Sequence, residues 1–446
     1  MRESRTAQAS LVFEYVDHQH ARELDQMGKL LEALPSAIWD EARWDLTGSR
    51  STKRGRRGMS AEQVVRVLIV KQLTRASYEK LSHLLLDSRG YGAFCGLPMG
   101  EKVSASALQD NVSRLRHGTL EQLNRELMNI AKAERIEMGE KLRADTTVVE
   151  THIHAPTDSS LLGDANRVLI RLMKQARKAF GVTFTNHERR AKRRAYRIIY
   201  AKKKPLREAL YRDLLKVTAW TLEGAGRIAA ELRAKKDLTA DAIASELERF
   251  SKLTAQVVDQ TTRRVIQGEK VPHDDKLVSL FETHTDIIVK GTRQVEYGHK
   301  VCLSTGASGL VTDMMVLDGN PADAGLTKTV VERHEEIFGR PPRQAAFDGG
   351  FASQENLTAL KCFGVEDVAF AKPCGLSIHD MAKSTWVYKC LRSFRTAIEG
   401  TISFLKRCFG LARCTWRSLE GFKTYAWGSV TTANLLMLAR HQLARS

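Results

Sequence analysis

Apolar residues recur every three or four positions at Leu24, Met27, Leu31 and Leu34, a spacing that predicts an amphipathic helix ended by Pro35. The stripe reads as a core face, with a dimer seam as the alternative. Ser60 followed by Gln63 predicts a capping box, and the helix it opens carries Val64, Val67 and Leu68 and must be buried. Two further helices are predicted over 78–86 and 104–115, separated by Gly90, Gly92, Gly96 and Pro98. At 141 the period changes to two. Leu142, Ala144, Thr146 and Val148 alternate with Arg143, Asp145, Thr147 and Val149, which predicts a strand. From 161 to 267 the period is helical again, as in Leu169, Leu172, Met173 and Ala176. Strands are then predicted at 286–290, in a hairpin of 297–304 and 310–317, at 344–347 and at 365–370. Helices are predicted at 322–338, 355–362 and 392–407, with a last one ending in Asn434-Leu435-Leu436-Met437-Leu438. This order predicts an α/β fold: a mixed sheet with flanking helices, interrupted after its first strand by a large all-helical insertion and preceded by a helical N-terminal region.

Charge changes the picture from a fold to a partner. The 446 residues hold 70 Lys plus Arg against 52 Asp plus Glu, a net +18, which points to a polyanion. Residues 188–207 concentrate this: Arg189, Arg190, Lys192, Arg193, Arg194, Arg197, Lys202, Lys203, Lys204 and Arg207 stand against one acid, Glu188. A second basic stretch is the loop Lys53-Arg54-Gly55-Arg56-Arg57. The helix over 104–115 carries Gln109, Asn111, Arg114 and Arg116 on its polar side, side chains suited to base edges and phosphates, although plain helical packing has the same composition. The longest apolar stretch, Val64 to Val70, is broken by Arg66, and Met1-Arg2-Glu3-Ser4-Arg5 leads into no apolar segment, so neither a membrane span nor a secretory signal is expected. Seven cysteines without CxxC spacing read as reduced thiols of a cytoplasmic protein.

The candidate chemistry is acidic. Aspartate is disfavoured inside strands, so Asp145 among Thr146, Thr147, Val148 and Val149 needs a reason, and metal ligation is one. Asp348 ends a later strand, and two such residues can lie side by side if the strands are parallel neighbours. Glu399 shares a helix face with Arg395, four before it, and Lys406, seven after it; alone, that is also what an ordinary solvated salt pair looks like. Asp158, in a loop after the first strand, is a possible positioning group or a turn residue, Asp323 reads as a helix N-terminal charge, and His152 with His154 has zinc-like spacing but no third ligand.

Arg395, Glu399 and Lys406 together resemble the Arg-x3-Glu-x6-Lys signature of bacterial insertion-sequence DDE transposases. Leu142 to Glu150 with Pro156 to Leu162 is similar to the first-aspartate region of the ISNCY-type branch, close to the insertion-sequence-five/four-like group. Ala346-Phe347-Asp348-Gly349-Gly350-Phe351 resembles the second-aspartate region, and Glu296-Tyr297-Gly298-His299-Lys300 and Gly319-Asn320-Pro321-Ala322-Asp323 look family-specific. One departure is Arg392, where the family has Tyr; Phe394 is the nearby aromatic.

The resemblance implies an RNase-H-like catalytic domain over 136–160 and 280–446, an N-terminal DNA-binding domain over 1–135 and a basic helical insertion over 161–279. It implies Asp145, Asp348 and Glu399 as catalytic residues holding two Mg2+ ions, with Mn2+ as a substitute, Asp145 bridging both. In-line phosphodiester displacement is assisted by two ions about 3.5 to 4 Å apart, and hard cations take carboxylate oxygens. Arg395 and Lys406 would contact DNA phosphates, as would Arg189, Arg190, Lys192, Arg193 and Arg194, with Gln109, Asn111 and Arg114 reading the element's ends. The implied partners are double-stranded DNA, as element ends and target, and further copies of the chain when synapsed, in a bacterial cytoplasm at the nucleoid. A structure-directed nuclease of the same fold and a DNA-binding relic without catalysis are the alternatives; the intact acidic triad speaks against the relic.

Overall fold

The computed structural model describes residues 18–49, 58–273, 275–290 and 294–445, so the expected basic loop at Lys53 to Arg57 lies outside the described residues. The described chain falls into two compact units, one of residues up to His152 together with Ile288 onward, the other Ile153–Ile287.

The first unit opens with helices α1 (Gln19–Glu32), α2 (Ser36–Thr47), α3 (Ala61–Thr74), α4 (Tyr78–Asp87), α5 (Arg89–Phe94), α6 (Ala105–Val112) and α7 (His117–Ala133). The capping box of α3 forms as its spacing predicts: Gln63 N–H donates to Ser60 Oγ at 3.2 Å, and Ser60 N–H donates to the Gln63 side chain at 2.9 Å. The glycine-rich stretch after α4 is not only a connection, because Ser88 caps α5 within it. Gly92 is there for packing, since a Cβ would sit 2.9 Å from the Leu85 carbonyl oxygen. α6 is shorter than its pattern suggests, which puts Arg114 and Arg116 beyond its end.

The sheet follows. β1 (Lys141–Glu150) pairs antiparallel with β3 (Gln294–Thr305) and parallel with β5 (Gln344–Phe347). β5 continues in parallel to β6 (Asp367–Phe370), while β3 also pairs with β2 (Asp286–Lys290) and, antiparallel, with β4 (Val311–Val316). The hairpin of β3 and β4 is the one expected. α12 (Thr327–Phe338) ends at Gly339, whose φ of +74° is the left-handed cap that glycine accepts without strain. α13 (Gln354–Cys362) and the short α14 (Ile378–Met381) flank β6 in the chain, and α15 (Thr385–Cys408) packs on β1, β5 and β6. α15 starts seven residues earlier than expected, because Ser384 accepts from Val387 N–H and caps a first turn that buries Val387 and Tyr388 and exposes Thr385 and Trp386.

The last helix, α16 (Leu419–Leu443), has sixteen of its twenty-five residues buried and is therefore a central rod rather than a surface helix. It packs on α1, α3, α7 and β4, so the N-terminal helices and the sheet's β3 and β4 share one hydrophobic core. The N-terminal helices thus do not close a core of their own: Leu68, Leu123 and Leu127 lie in the same cluster as Trp427, Val430 and Leu435. A buried polar node joins these elements. Asn434 Nδ2 donates to Asn124 Oδ1 and to the Val311 carbonyl, both at 2.7 Å, and Val311 N–H donates to Asn434 Oδ1 at 2.9 Å.

The second unit consists of α8 (Asp158–Phe180), α9 (Glu188–Tyr200), α10 (Lys204–Arg233) and α11 (Leu238–Thr261) around a separate core that includes Leu169, Leu214, Leu232 and Leu247. Asn166, fully buried, donates to Thr218 Oγ1 at 2.8 Å and accepts from Thr221 Oγ1 at 2.7 Å, which fixes α8 against α10.

Candidate active site

The register of β1 with β5 sets Ala144 opposite Phe347, so the next residues, Asp145 and Asp348, come at neighbouring positions where β5 ends. The alternation of a strand sends Arg143 and Asp145 to the same side of β1. Asp145 is half-buried, and its Oδ1 accepts from Thr146 N–H at 2.7 Å. Burial pushes its carboxyl up to about 6; the charges of Asp348 and Asp323 push the same way, while the Thr146 hydrogen bond and the Arg395 guanidinium oppose them.

Asp323, the first residue of the 3-10 helix Asp323–Leu326 after the hairpin, is the helix N-terminal charge expected of it and is also a member of this group. Thr146 Oγ1 donates to Asp323 Oδ1 at 3.1 Å, and Lys300 Nζ lies 2.7 Å from the same oxygen. Lys300 also donates to the Pro321 carbonyl at 2.7 Å, which ties β3 to the turn. Gly350 lets the segment after Asp348 lie against Asp323, since a Cβ there would come within 2.8 Å of Asp323 Oδ2.

α15 brings the balancing cation. Arg395 Nη1 is 3.6 Å from Asp348 Oδ1, and Nη2 donates to Glu399 Oε1 at 3.1 Å, one helical turn away. Arg395 is seated at 14% exposure while Asp348 and Glu399 stand open at 49% and 62%, so the guanidinium is fixed and the carboxylates face solvent. The helix itself is fastened to β1 by buried Arg143. Its Nη1 donates to the Phe394 carbonyl at 2.8 Å, its Nε donates to Thr305 Oγ1 at 2.7 Å, and its guanidinium stacks 4.5 Å from the Phe394 ring centre. Phe394 therefore supports Arg143, and Arg392, at the position where the resemblance has Tyr, is exposed. Lys406 is half-buried two turns beyond Glu399 on the same helix.

Asp145 and Asp348 are thus brought together, and Glu399 joins them only through Arg395. Among the described residues no three His, Cys, Asp or Glu side chains converge closely enough to hold a metal ion. In kind, though, the donors are those a hard divalent cation takes: oxygen only, with the Asp145 carboxyl raised chiefly by burial and further by Asp348 and Asp323.

The other candidates divide. On α9, Arg190 and Arg194 both pair with Asp213 on α10, and Arg190 also lies over the Trp220 ring, 5.3 Å from its centre. Arg189, Lys192 and Arg193 are exposed. Among the N-terminal candidates Gln109 is exposed, whereas Asn111 Nδ2 donates to the Ala107 carbonyl of its own helix at 2.6 Å and Arg114 donates to the Leu46 carbonyl at 3.4 Å. Asn111 thus folds back onto its own helix and Arg114 lies past the helix end, so the two do not share one helix face with Gln109. Asp158 is neither a turn residue nor an open carboxylate. It is buried at the first turn of α8, with Arg264 Nη1 3.1 Å from both of its oxygens. His154 pairs with Asp164 at 2.9 Å, an ion-pair partner rather than a metal. Missed from the sequence were the roles of Lys300, Asp323 and Arg143; the first two sit in segments that stood out as motifs, but only the fold joins them to Asp145.

Residues 13–114 match the family model of a transposase domain (DUF772). No curated protein and no solved structure matches the chain. The match covers α1 to α6 and stops short of α7, and no described helix is long and apolar enough to cross a membrane.

Proposed function

We propose that the chain is a DDE transposase: it binds the terminal inverted repeats of its own insertion sequence and catalyses metal-dependent strand cleavage and strand transfer. The observation that carries the reading is the register of β1 on β5, which sets Asp145 beside Asp348, with Arg395 linking Asp348 to Glu399. The strand arrangement β4-β3-β1-β5-β6, antiparallel then parallel about β1, supports an RNase-H-like core. The N-terminal match to a transposase domain supports DNA as substrate.

Two Mg2+ ions, or Mn2+ in their place, would be held by Asp145, Asp348 and Glu399, and when bound they supply activation of the attacking oxygen and stabilisation of the leaving one. Arg395 then has two roles that its seated position suits: it neutralises Asp348 and Glu399 in the metal-free protein and offers a planar donor to a phosphate in the complex. Lys300 holds Asp323 and limits the repulsion that three carboxylates impose on one another. Arg143 keeps α15 in register with β1.

The test is cleavage by the full chain of DNA carrying the repeats that flank its reading frame, with Mg2+ or Mn2+. Asp145→Asn, Asp348→Asn and Glu399→Gln should each reduce cleavage by about 1,000-fold or more while DNA binding stays within a few-fold, because a carboxamide keeps the shape and loses the charge that holds the cation. Normal cleavage by all three variants overturns the site. Equal cleavage of DNA with scrambled ends turns the reading into a structure-directed nuclease.

A further inference from the structure

The outer face of α9 carries a feature that phosphate binding does not use. Tyr196 and Tyr200 are 61% and 65% exposed, and between them Ile199 is 64% exposed, on a helix whose opposite side buries Ala191 and Ile198. The two tyrosine rings lie 4.8 Å apart, centre to centre, at an angle of 48°. Helical spacing puts Arg189, Arg193, Tyr196 and Tyr200 on one line, at i, i+4, i+7 and i+11, with Lys192 and Arg197 alongside. All of these cations are exposed, and Lys202, Lys203 and Lys204 follow at the helix end, exposed as well.

We propose that this face binds unpaired DNA, with bases stacked on Tyr196 and Tyr200 and the backbone held by Arg189, Lys192, Arg193 and Arg197. The inference rests on the reading of the basic helix as DNA-binding, not on the acidic site. Base faces are hidden in a duplex and available in a single strand, and exposed aromatics interleaved with cations are the means by which proteins take such strands. Two other occupants suit the face less. A second copy meeting it symmetrically would set ten cations of residues 188–207 against the same ten, with one acid on each side. A membrane surface would need a broad apolar side turned outward, and the outward side of α9 offers only Tyr196, Ile199 and Tyr200 among its cations, while Ala191 and Ile198 are spent on the unit's own core.

The experiment uses the full chain with a fluorescent oligothymidine strand and with a duplex of equal length at the same salt. Tyr196→Ala with Tyr200→Ala should weaken binding of the single strand by about 30-fold or more, and Tyr196→Phe with Tyr200→Phe should restore it to within about 3-fold, because the ring and not the hydroxyl does the stacking. Duplex affinity, carried by the cations, should change by less than about 3-fold in both. Unchanged single-strand affinity in the alanine variant, with duplex binding intact, overturns this inference and leaves the transposase reading standing. Absence of binding to either DNA overturns it together with the DNA-binding role of α9. Loss of self-association, read by sedimentation, with single-strand affinity unchanged makes the face a contact between copies and overturns the proposal.

Discussion

At the sheet, Asp145 is half-buried beside Asp348 and Asp323, and three carboxylates share two cations, Lys300 and Arg395. On α9, Arg189, Lys192 and Arg193 stand in water, while Arg190 and Arg194, which do approach a neighbour, meet Asp213. The first region holds like charges together at a cost in stability. The second keeps its like charges solvated, where water and salt screen them. A site that tolerates repulsion in the free protein is poised to gain from a bound cation, and a face of screened charge is poised to gain by exchanging counterions for phosphates.

The contrast can be broken most strongly on the helical side. Replacing Arg189, Lys192 and Arg193 with Gln should weaken DNA binding about 100-fold at low salt and reduce the slope of log K against log salt by about 3, for all sequences alike. Adding Arg190→Gln and Arg194→Gln should change the slope little more, because Asp213 already occupies those groups. A slope unchanged in the triple variant removes α9 from the DNA interface.

Within the first unit, a satisfied polar group should behave oppositely to the crowded acids. Asn434→Ala leaves the Val311 N–H without its partner in the core and should cost about 2–4 kcal/mol in urea unfolding. A loss below about 0.5 kcal/mol would mean that α16 does not lock the N-terminal helices to the sheet.

His334 sharpens the comparison through pH. Burial holds its imidazole down to about 4, with Nε2–H donating to the Gly139 carbonyl at 2.9 Å. The unfolded chain binds a proton near the ordinary histidine value and the folded chain does not, so its contribution is intact above about 6.5 and is lost progressively as pH falls towards 4. Between pH 7.5 and 5 this group should take about 2 kcal/mol from stability. His334→Gln should remove that part of the pH dependence, and an equally steep profile in the variant contradicts the assignment.

How much of this was legible in the chain depended on distance along it. The α9 cations are contiguous, so the basic stretch could be read directly, and the strands, the hairpin and most helices followed from period and turn residues, though α2, α5 and α7 did not. Asp145 and Asp348 were legible as a pair only on condition that their strands were parallel neighbours and through the resemblance, and the register of β1 on β5 meets that condition. Asp323 was not: its place depends on the turn after β4 folding back on β1, and its sequence context suits a helix start equally well. The local contacts of Arg114 with Leu46 and of Asn111 with Ala107 were not legible either, since composition does not show where a helix ends or which carbonyl a side chain reaches. That the helices of residues 1–135 share their core with α16 was illegible for a distant reason, since α16 comes only at the far end of the chain.

The central claim, that the acidic end of the sheet is a cation site, is tested most directly by melting wild type and Asp145→Asn with chelator and with Mg2+. In chelator the variant should melt higher, since removing the charge relieves its burial and its repulsion by Asp348 and Asp323, together worth on the order of 1–3 kcal/mol. With Mg2+ wild type should rise and overtake it, while the variant gains little. A variant that melts lower than wild type in chelator, with both insensitive to Mg2+, would show the carboxylates to be structural ion-pair partners and contradict the account.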